Sequence, residues 1–266
     1  MVRGLDVFRE FFSGMEDNYV IIGGTACSVH EEEMQQEPRA TKDIDIVLIV
    51  EALSGRFVRR FWEFIVAGGY EQRQRRETAS KETPKRSHEY FRFVKARDKR
   101  FPVQIELFSR SLGLMDFPED AHITPIPAGE DLSSLSAILM DDDYYSLTIC
   151  HSALVGGVHY ANPECLICLK AKAFLDMTKR KVEEGVGDQN DIDKHKKDVF
   201  RMISALKEDL RVSLPLKIEN DMRVFLDVVS KELPGKELFK SMGFPRLNAA
   251  EMVEMAGRIF LGQVPA

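Results

Sequence analysis

Tyr19-Val20-Ile21-Ile22-Gly23-Gly24-Thr25-Ala26-Cys27-Ser28-Val29-His30 leads, after a charged interval, to Arg39-Ala40-Thr41-Lys42-Asp43-Ile44-Asp45-Ile46-Val47. Tyr19 to Ile22 is a short apolar, β-branched run of the kind that forms a buried strand. It stops at Gly23-Gly24-Thr25, where two glycines let backbone N–H groups approach an anion closely. Ala26 to His30 then opens a helix whose positive N-terminal end faces the same point. A second strand starts at Asp43 and continues from Ile44 to Val50. Alternation puts Asp43 and Asp45 on one of its faces and Ile44 and Ile46 on the other. Adjacent carboxylates repel unless a cation lies between them. A glycine-lined anion seat beside a carboxylate pair has the chemistry that a metal-bound nucleotide needs.

Either half of the stretch alone is commonplace, because Gly-Gly pairs are usually turns and Asp-x-Asp often caps a strand. Joined in this order, they resemble the nucleotidyltransferase superfamily of the DNA polymerase β type, and most of all the AbiEii-type nucleotidyltransferases, toxins of type IV toxin–antitoxin systems. The resemblance implies that Gly23, Gly24 and Thr25 hold the triphosphate of a nucleoside triphosphate (NTP) substrate. It also implies that Asp43 and Asp45 bind two Mg²⁺ ions.

A third carboxylate comes from the run Phe101 to Ser109, which alternates as a central strand. Val103, Ile105 and Leu107 share one face, with Gln104 and Glu106 on the other. If this strand lies beside that of Asp43, Glu106 joins the aspartates as the third catalytic and metal-binding acid. The superfamily more often has Asp there.

The resemblance continues into the second half of the chain. Lys170-Ala171-Lys172-Ala173 matches a Lys-x-x-Ala helix motif, and Lys197-Asp198-Val199-Phe200 matches a basic–Asp–apolar motif more loosely. By that likeness Lys170 touches the triphosphate, and Lys194 or Lys197 helps Asp198 order the site. The bland alternative is a helix surface laced with ion pairs. Two roles are open to Arg39: reaching a phosphate, or pairing with a glutamate of the polar run Glu31 to Glu37. The glutamates themselves read as a solvated face or loop, and His195 as exposed.

The remaining pattern is that of a mixed α/β (α+β) protein. A helix is expected at Leu5–Phe12, and another at Phe57–Val66 closed by Gly68-Gly69. Tyr90–Val94 is strand-like. Ser134–Met140 and Tyr144–Ser152 read as strands joined by a turn at Asp141-Asp142-Asp143, and Gly156-Gly157 as a hairpin leading to Val158–Tyr160. From Asn162-Pro163-Glu164, a strong helix start, the chain becomes helical: Pro163 to about Val182, a helix opened by Asn190 or Asp191, then Lys217–Glu232 and Ala249–Leu261. We expect a nucleotidyltransferase catalytic domain, with a mixed sheet and flanking helices, over 1–160 and a C-terminal helical bundle over 161–266.

Composition sets outer limits. With 266 residues, 44% hydrophobic and 30% charged, the chain is an ordinary globular one. No apolar run approaches a membrane span, and the first residues lack a signal-peptide core, so a cytoplasmic protein is expected. Cys165-x-x-Cys168 has no matching second pair for zinc and lies on an apolar helix face, which favours core packing. The net charge of −6 argues against a surface coated for nucleic acid. The passage from Arg73 to Arg100 is nevertheless strongly basic. It reads either as a charged hairpin edge or as an RNA-binding rim.

The resemblance implies transfer of a nucleoside monophosphate to an acceptor hydroxyl, on RNA such as tRNA or on a protein, with an antitoxin as a further partner. Two alternatives stand: an aminoglycoside-type small-molecule nucleotidyltransferase, or a nucleotide-binding interaction module without turnover.

Overall fold

The structure is a computed structural model that describes residues 2–38, 41–49, 51–52, 54–72, 89–109, 138 and 141–262. The chain forms two compact units. One comprises Met1–Thr25, Ala40–Met140 and Ser152–Ala161; the other comprises Ala26–Arg39, Asp141–His151 and Asn162–Ala266.

The first unit is a mixed α/β unit built on a seven-stranded sheet in the order β3-β4-β5-β2-β1-β7-β6. Its strands are β1 (Tyr19–Ile22), β2 (Asp43–Leu48), β3 (Glu71–Gln72), β4 (Glu89–Val94), β5 (Gln104–Ser109), β6 (Ser152–Val155) and β7 (Val158–Ala161). β2 runs parallel to β5 and β1 parallel to β7, and every other neighbouring pair is antiparallel. The hairpin expected at Gly156-Gly157 is the β6–β7 turn.

Two helices, α1 (Leu5–Phe11) and α3 (Gly55–Gly68), cover the apolar face of this sheet. Ile44, Ile46, Ile105 and Leu107 are fully buried there, which is the face that alternation assigned to them. The layer between helices and sheet is largely aromatic. Phe8 packs edge-on against Phe64 (ring centroids 5.7 Å apart) and Tyr19 (5.3 Å), and Phe61 meets Phe93 at 5.6 Å. Such rings bury large areas and orient one another through their quadrupoles. α3 starts where the Ser54 side chain accepts from the Phe57 N–H, and it ends at Gly69, whose φ of 60° closes the last turn.

α2 (Gly23–Glu33) follows β1 without a loop. It begins three residues earlier than the sequence pattern suggests, so Gly23-Gly24-Thr25 are its first turn.

The second unit is helical. Besides most of α2 it contains α4 (Asp142–Cys150), α5 (Pro163–Glu184), α6 (Gln189–Ile203), α7 (Leu216–Lys231), α8 (Lys236–Ser241) and α9 (Ala249–Leu261). α4 corrects the strand expected over Tyr144–Ser152. The Asp141 carboxylate accepts from the N–H groups of Asp143 and Tyr144, and Asp142 and Asp143 lie in the first turn. The three aspartates are therefore a helix N-terminus, with negative charge at the positive end of the dipole. A short apolar run cannot be assigned to strand or helix by periodicity alone. Ile138, in the other strand expected here, is helical; its neighbours lie outside the described residues.

Cys165 and Cys168 pack in the core of α5 as free thiols. Burial pushes the Cys165 thiol up to about 12 and raises Cys168 as well, so both stay protonated and inert. Among the described residues no helix is long and apolar enough to cross a membrane.

Candidate active site

In the sheet unit, the β1–α2 turn and β2 are held together at two points. Antiparallel register sets Ile22, the last residue of β1, opposite Asp45. The chain then turns at Gly23 with φ +69°, a conformation that costs an L-residue roughly 1–2 kcal/mol. A Cβ at Gly23 would overlap Oδ2 of Asp45, with Cγ only 2.9 Å away. Glycine is therefore needed twice, for the backbone angle and because the Asp45 carboxylate rests against the turn. One residue pair away, the Thr25 hydroxyl donates to the Asp43 carbonyl at 2.6 Å. The buried Thr25 side chain thus fastens the turn to the strand, while the first turn of α2 presents backbone N–H groups that lack acceptors within their own helix.

Glu106 comes to the same face by register. β2 and β5 are parallel, with Asp43 beside Gln104 and Asp45 beside Glu106, one inter-strand spacing apart. Glu106 is buried, and its Oε1 accepts from Arg92 Nε at 2.8 Å and from Gln104 Nε2 at 2.8 Å. Arg92 is opposite Glu106 in the β4–β5 ladder. Sequence reading counted Arg92 only as one of many basic residues in its passage; its alternation with Phe93 within β4 was the available signal.

The fit of this donor set to magnesium follows from its chemistry. Among the described residues no group of three or more His, Cys, Asp or Glu side chains is arranged to hold a metal ion. Mg²⁺ does not require one, since it is commonly held by one or two carboxylates together with substrate phosphates and water. Asp43 and Asp45, on one face of β2 beside the glycine turn, fit such a phosphate-borne ion. Glu106 neighbours them but is shared with Arg92 and Gln104, so it does not complete a pre-formed three-carboxylate cluster.

The other residues singled out by sequence lie in the helical unit. Lys170 on α5 and Asp198 on α6 form a buried ion pair at 3.0 Å, which no local pattern announced. Lys194 and Lys197 are exposed on α6. With Asp198 and Arg201 they line a cleft of about 700 Å³ that is closed on its other side by the Glu232–Ser241 segment. His195 is buried rather than exposed, because the face of α6 that carries Ile192 and Val199 carries it as well. Glu31 is also buried, against the expectation of a solvated run: Arg201 Nη1 lies 3.6 Å from its Oε1 and donates to the Glu37 carbonyl at 3.2 Å. Glu32 and Glu33 are exposed as expected.

Arg39 and residues 73–88 of the basic passage are outside the described residues. Within the rest of that passage, Lys95 pairs with Glu71 at 3.0 Å and Arg100 with Asp98 at 2.7 Å. No protein-family model matches this chain, and no curated protein matches it.

Proposed function

We propose that the protein is a Mg²⁺-dependent nucleotidyltransferase of polymerase β-like fold, moving a nucleoside monophosphate from an NTP to an acceptor hydroxyl on RNA or protein. The observation that carries this reading is the packing of the Asp45 carboxylate against Gly23 at the head of α2. It sets a carboxylate pair and a helix N-terminus, complementary to metal and phosphate respectively, at one point of the sheet. Gly23, Gly24 and the first turn of α2 bind the terminal phosphates. Asp43 and Asp45 hold the metal and orient the α-phosphate. When bound, Mg²⁺ supplies charge neutralisation and acidifies the attacking hydroxyl. The acceptor oxygen forms a bond to the α-phosphorus, the bond to pyrophosphate breaks in line, and the hydroxyl proton passes to a nearby carboxylate. Most of the acceleration then comes from positioning and electrostatics. In a toxin-like setting, a neutralising protein partner would complete the system.

One observation favours a second reading, a nucleotide-binding module without turnover. Glu106, the third acid expected to act, is engaged by Arg92 and Gln104. Incubation with labelled NTPs, Mg²⁺ and tRNA, and separately with cell proteins, tests the first reading. Label should appear in one acceptor and vanish in Asp43→Asn/Asp45→Asn. Label that stays in free nucleotide with every acceptor contradicts the transferase and leaves the module.

A further inference from the structure

On the helix layer covering the apolar face of the sheet, the first turns of α3 and the end of α1 enclose a cleft of about 320 Å³. Its walls carry Arg56, Arg59 and Arg60, with Glu10, Phe11 and Glu63. The arginines fall at i, i+3 and i+4, on one side of the helix. Arg60 is fixed in place. Its Nε donates to the Phe11 carbonyl at 3.0 Å, its Nη1 to Glu63 at 2.8 Å, and its guanidinium stacks 4.3 Å from the centre of the Phe11 ring. Arg56 and Arg59 are exposed and have no hydrogen-bond or ion-pair partner among the described residues. Arg59 leans back over the helix start, its Nη1 3.8 Å from the Cβ position of Gly55.

This arrangement opposes the ordinary rules of helix electrostatics. The N-terminal turn of a helix is its positive end, where acids stabilise and cations destabilise. The first turn of α3 has no acid, although the chain as a whole is acidic. Arg56 in the first turn and Arg59 one turn on, neither with a partner among the described residues, add positive charge near the positive helix end, while Arg60 beside them is balanced by Glu63. An anion in the cleft relieves that repulsion, and guanidinium forks match phosphate oxygens better than any other side chain.

We infer that this cleft binds backbone phosphates of a single-stranded nucleic acid. The polymer rather than free phosphate is the fitting ligand because Arg56 and Arg59 are exposed side chains one helical turn apart, which suits two successive phosphates of a chain better than one enclosed anion. The site lies on the other side of the sheet from Asp43 and Asp45, so it anchors a strand away from the reacting end, as phosphate contacts generally position rather than specify. The choice of RNA rests on the transfer reading above, but the site itself does not.

The test is equilibrium binding of a fluorescein-labelled single-stranded RNA, without NTP or Mg²⁺, by the full chain and by Arg56→Gln/Arg59→Gln. Each single-strand phosphate contact contributes about 0.7 to the slope of log K against log[salt]. Loss of two contacts makes the slope shallower by about 1.4 and weakens binding about 25-fold at 0.1 M salt. The variant should melt at the same or a higher temperature, because two like charges leave the positive helix end. Unchanged affinity and slope in the folded variant overturn the inference. So does displacement of the RNA by millimolar inorganic phosphate at constant ionic strength, which would identify a site for small phosphates. Arg56→Gln/Arg59→Gln should keep the parent's Mg²⁺-dependent binding of NTP, so a failed transfer reading and a failed anchor are told apart.

Discussion

Two ion pairs, one in each unit, differ in how far they are sealed from water. Arg92 and Glu106 meet at 2.8 Å across two strands, with side-chain exposures of 19% and 7%. Lys170 and Asp198 meet at 3.0 Å across two helices, with exposures of 4% and 2%. The strand pair sits next to Asp45 in the ladder, and solvent reaches its arginine. Under the proposed function it would exchange partners when a phosphate or cation arrives. The helix pair is enclosed, so each charge leans on the buried partner beside it. An enclosed pair of this kind fits a role in fixing how α5 and α6 pack. The difference teaches that burial alone does not mark a functional charge. What separates the two is whether the pair adjoins further acids and whether one partner can leave.

The largest expected effect breaks the sealed pair. Asp198→Ala removes the carboxylate paired with a buried lysine ammonium, and should destabilise the fold by about 3–5 kcal/mol, read from the urea midpoint. Lys170→Met/Asp198→Leu should recover most of that loss. A single variant as stable as the parent would place this pair with the strand pair. Arg92→Gln should cost less, about 1.5–3 kcal/mol, as expected for hydrogen bonds to a charged group with some access to water. It should also change nucleotide affinity, which Asp198→Ala/Lys170→Met should not do beyond its effect on folding.

Gly23→Ala sharpens the comparison from the other side of Asp45. The left-handed backbone costs about 1–2 kcal/mol, and the added methyl must push the Asp45 carboxylate away. Nucleotide binding should fall more than stability does. A variant with the parent's affinity would mean that contact between turn and carboxylate is unimportant.

The smallest effect concerns a surface counterpart. Burial by itself would raise the Asp141 carboxyl, but the hydrogen bond from Lys217 and the N–H groups at the start of α4 outweigh it and hold it below the usual range. A depressed pKa in the folded state means stability that is present above the unfolded value, near 3.8, and is lost as pH falls through the folded one. Asp141→Asn should therefore narrow its stability deficit below pH 4. The side chain is partly exposed, so solvent screening keeps the effect small. A deficit constant from pH 7 to pH 3 would assign Asp141 to capping geometry alone.

The carboxylate face was legible because strand alternation and a glycine pair are local signals. Asp43 and Asp45 share a face by period two, and a positive φ at a strand end calls for glycine; Glu106 joins that face only through the β2–β5 register, which the sequence left conditional. The C-cap of α3 at Gly69 and the bounds of α9 were legible from local signals too, whereas the N-cap of α3 at Ser54 was not read. The ion pairs were not, since Arg92–Glu106, Lys170–Asp198 and Glu31–Arg201 join residues distant in sequence, and each charge viewed alone looks like a solvated one. α4 was missed because its nine residues suit a strand as well as a helix until the cap at Asp141 is recognised.

The central claim is that Gly23, Asp43 and Asp45 form a seat for a metal-bound triphosphate. Calorimetric titration of the protein with an NTP, with and without Mg²⁺, tests it most directly. Clustered carboxylates repel free phosphates and attract them through the metal. The account predicts weak binding without Mg²⁺, much tighter binding with it, and loss of that difference in Asp43→Asn/Asp45→Asn. Binding indifferent to Mg²⁺ and unchanged by the double substitution would contradict it.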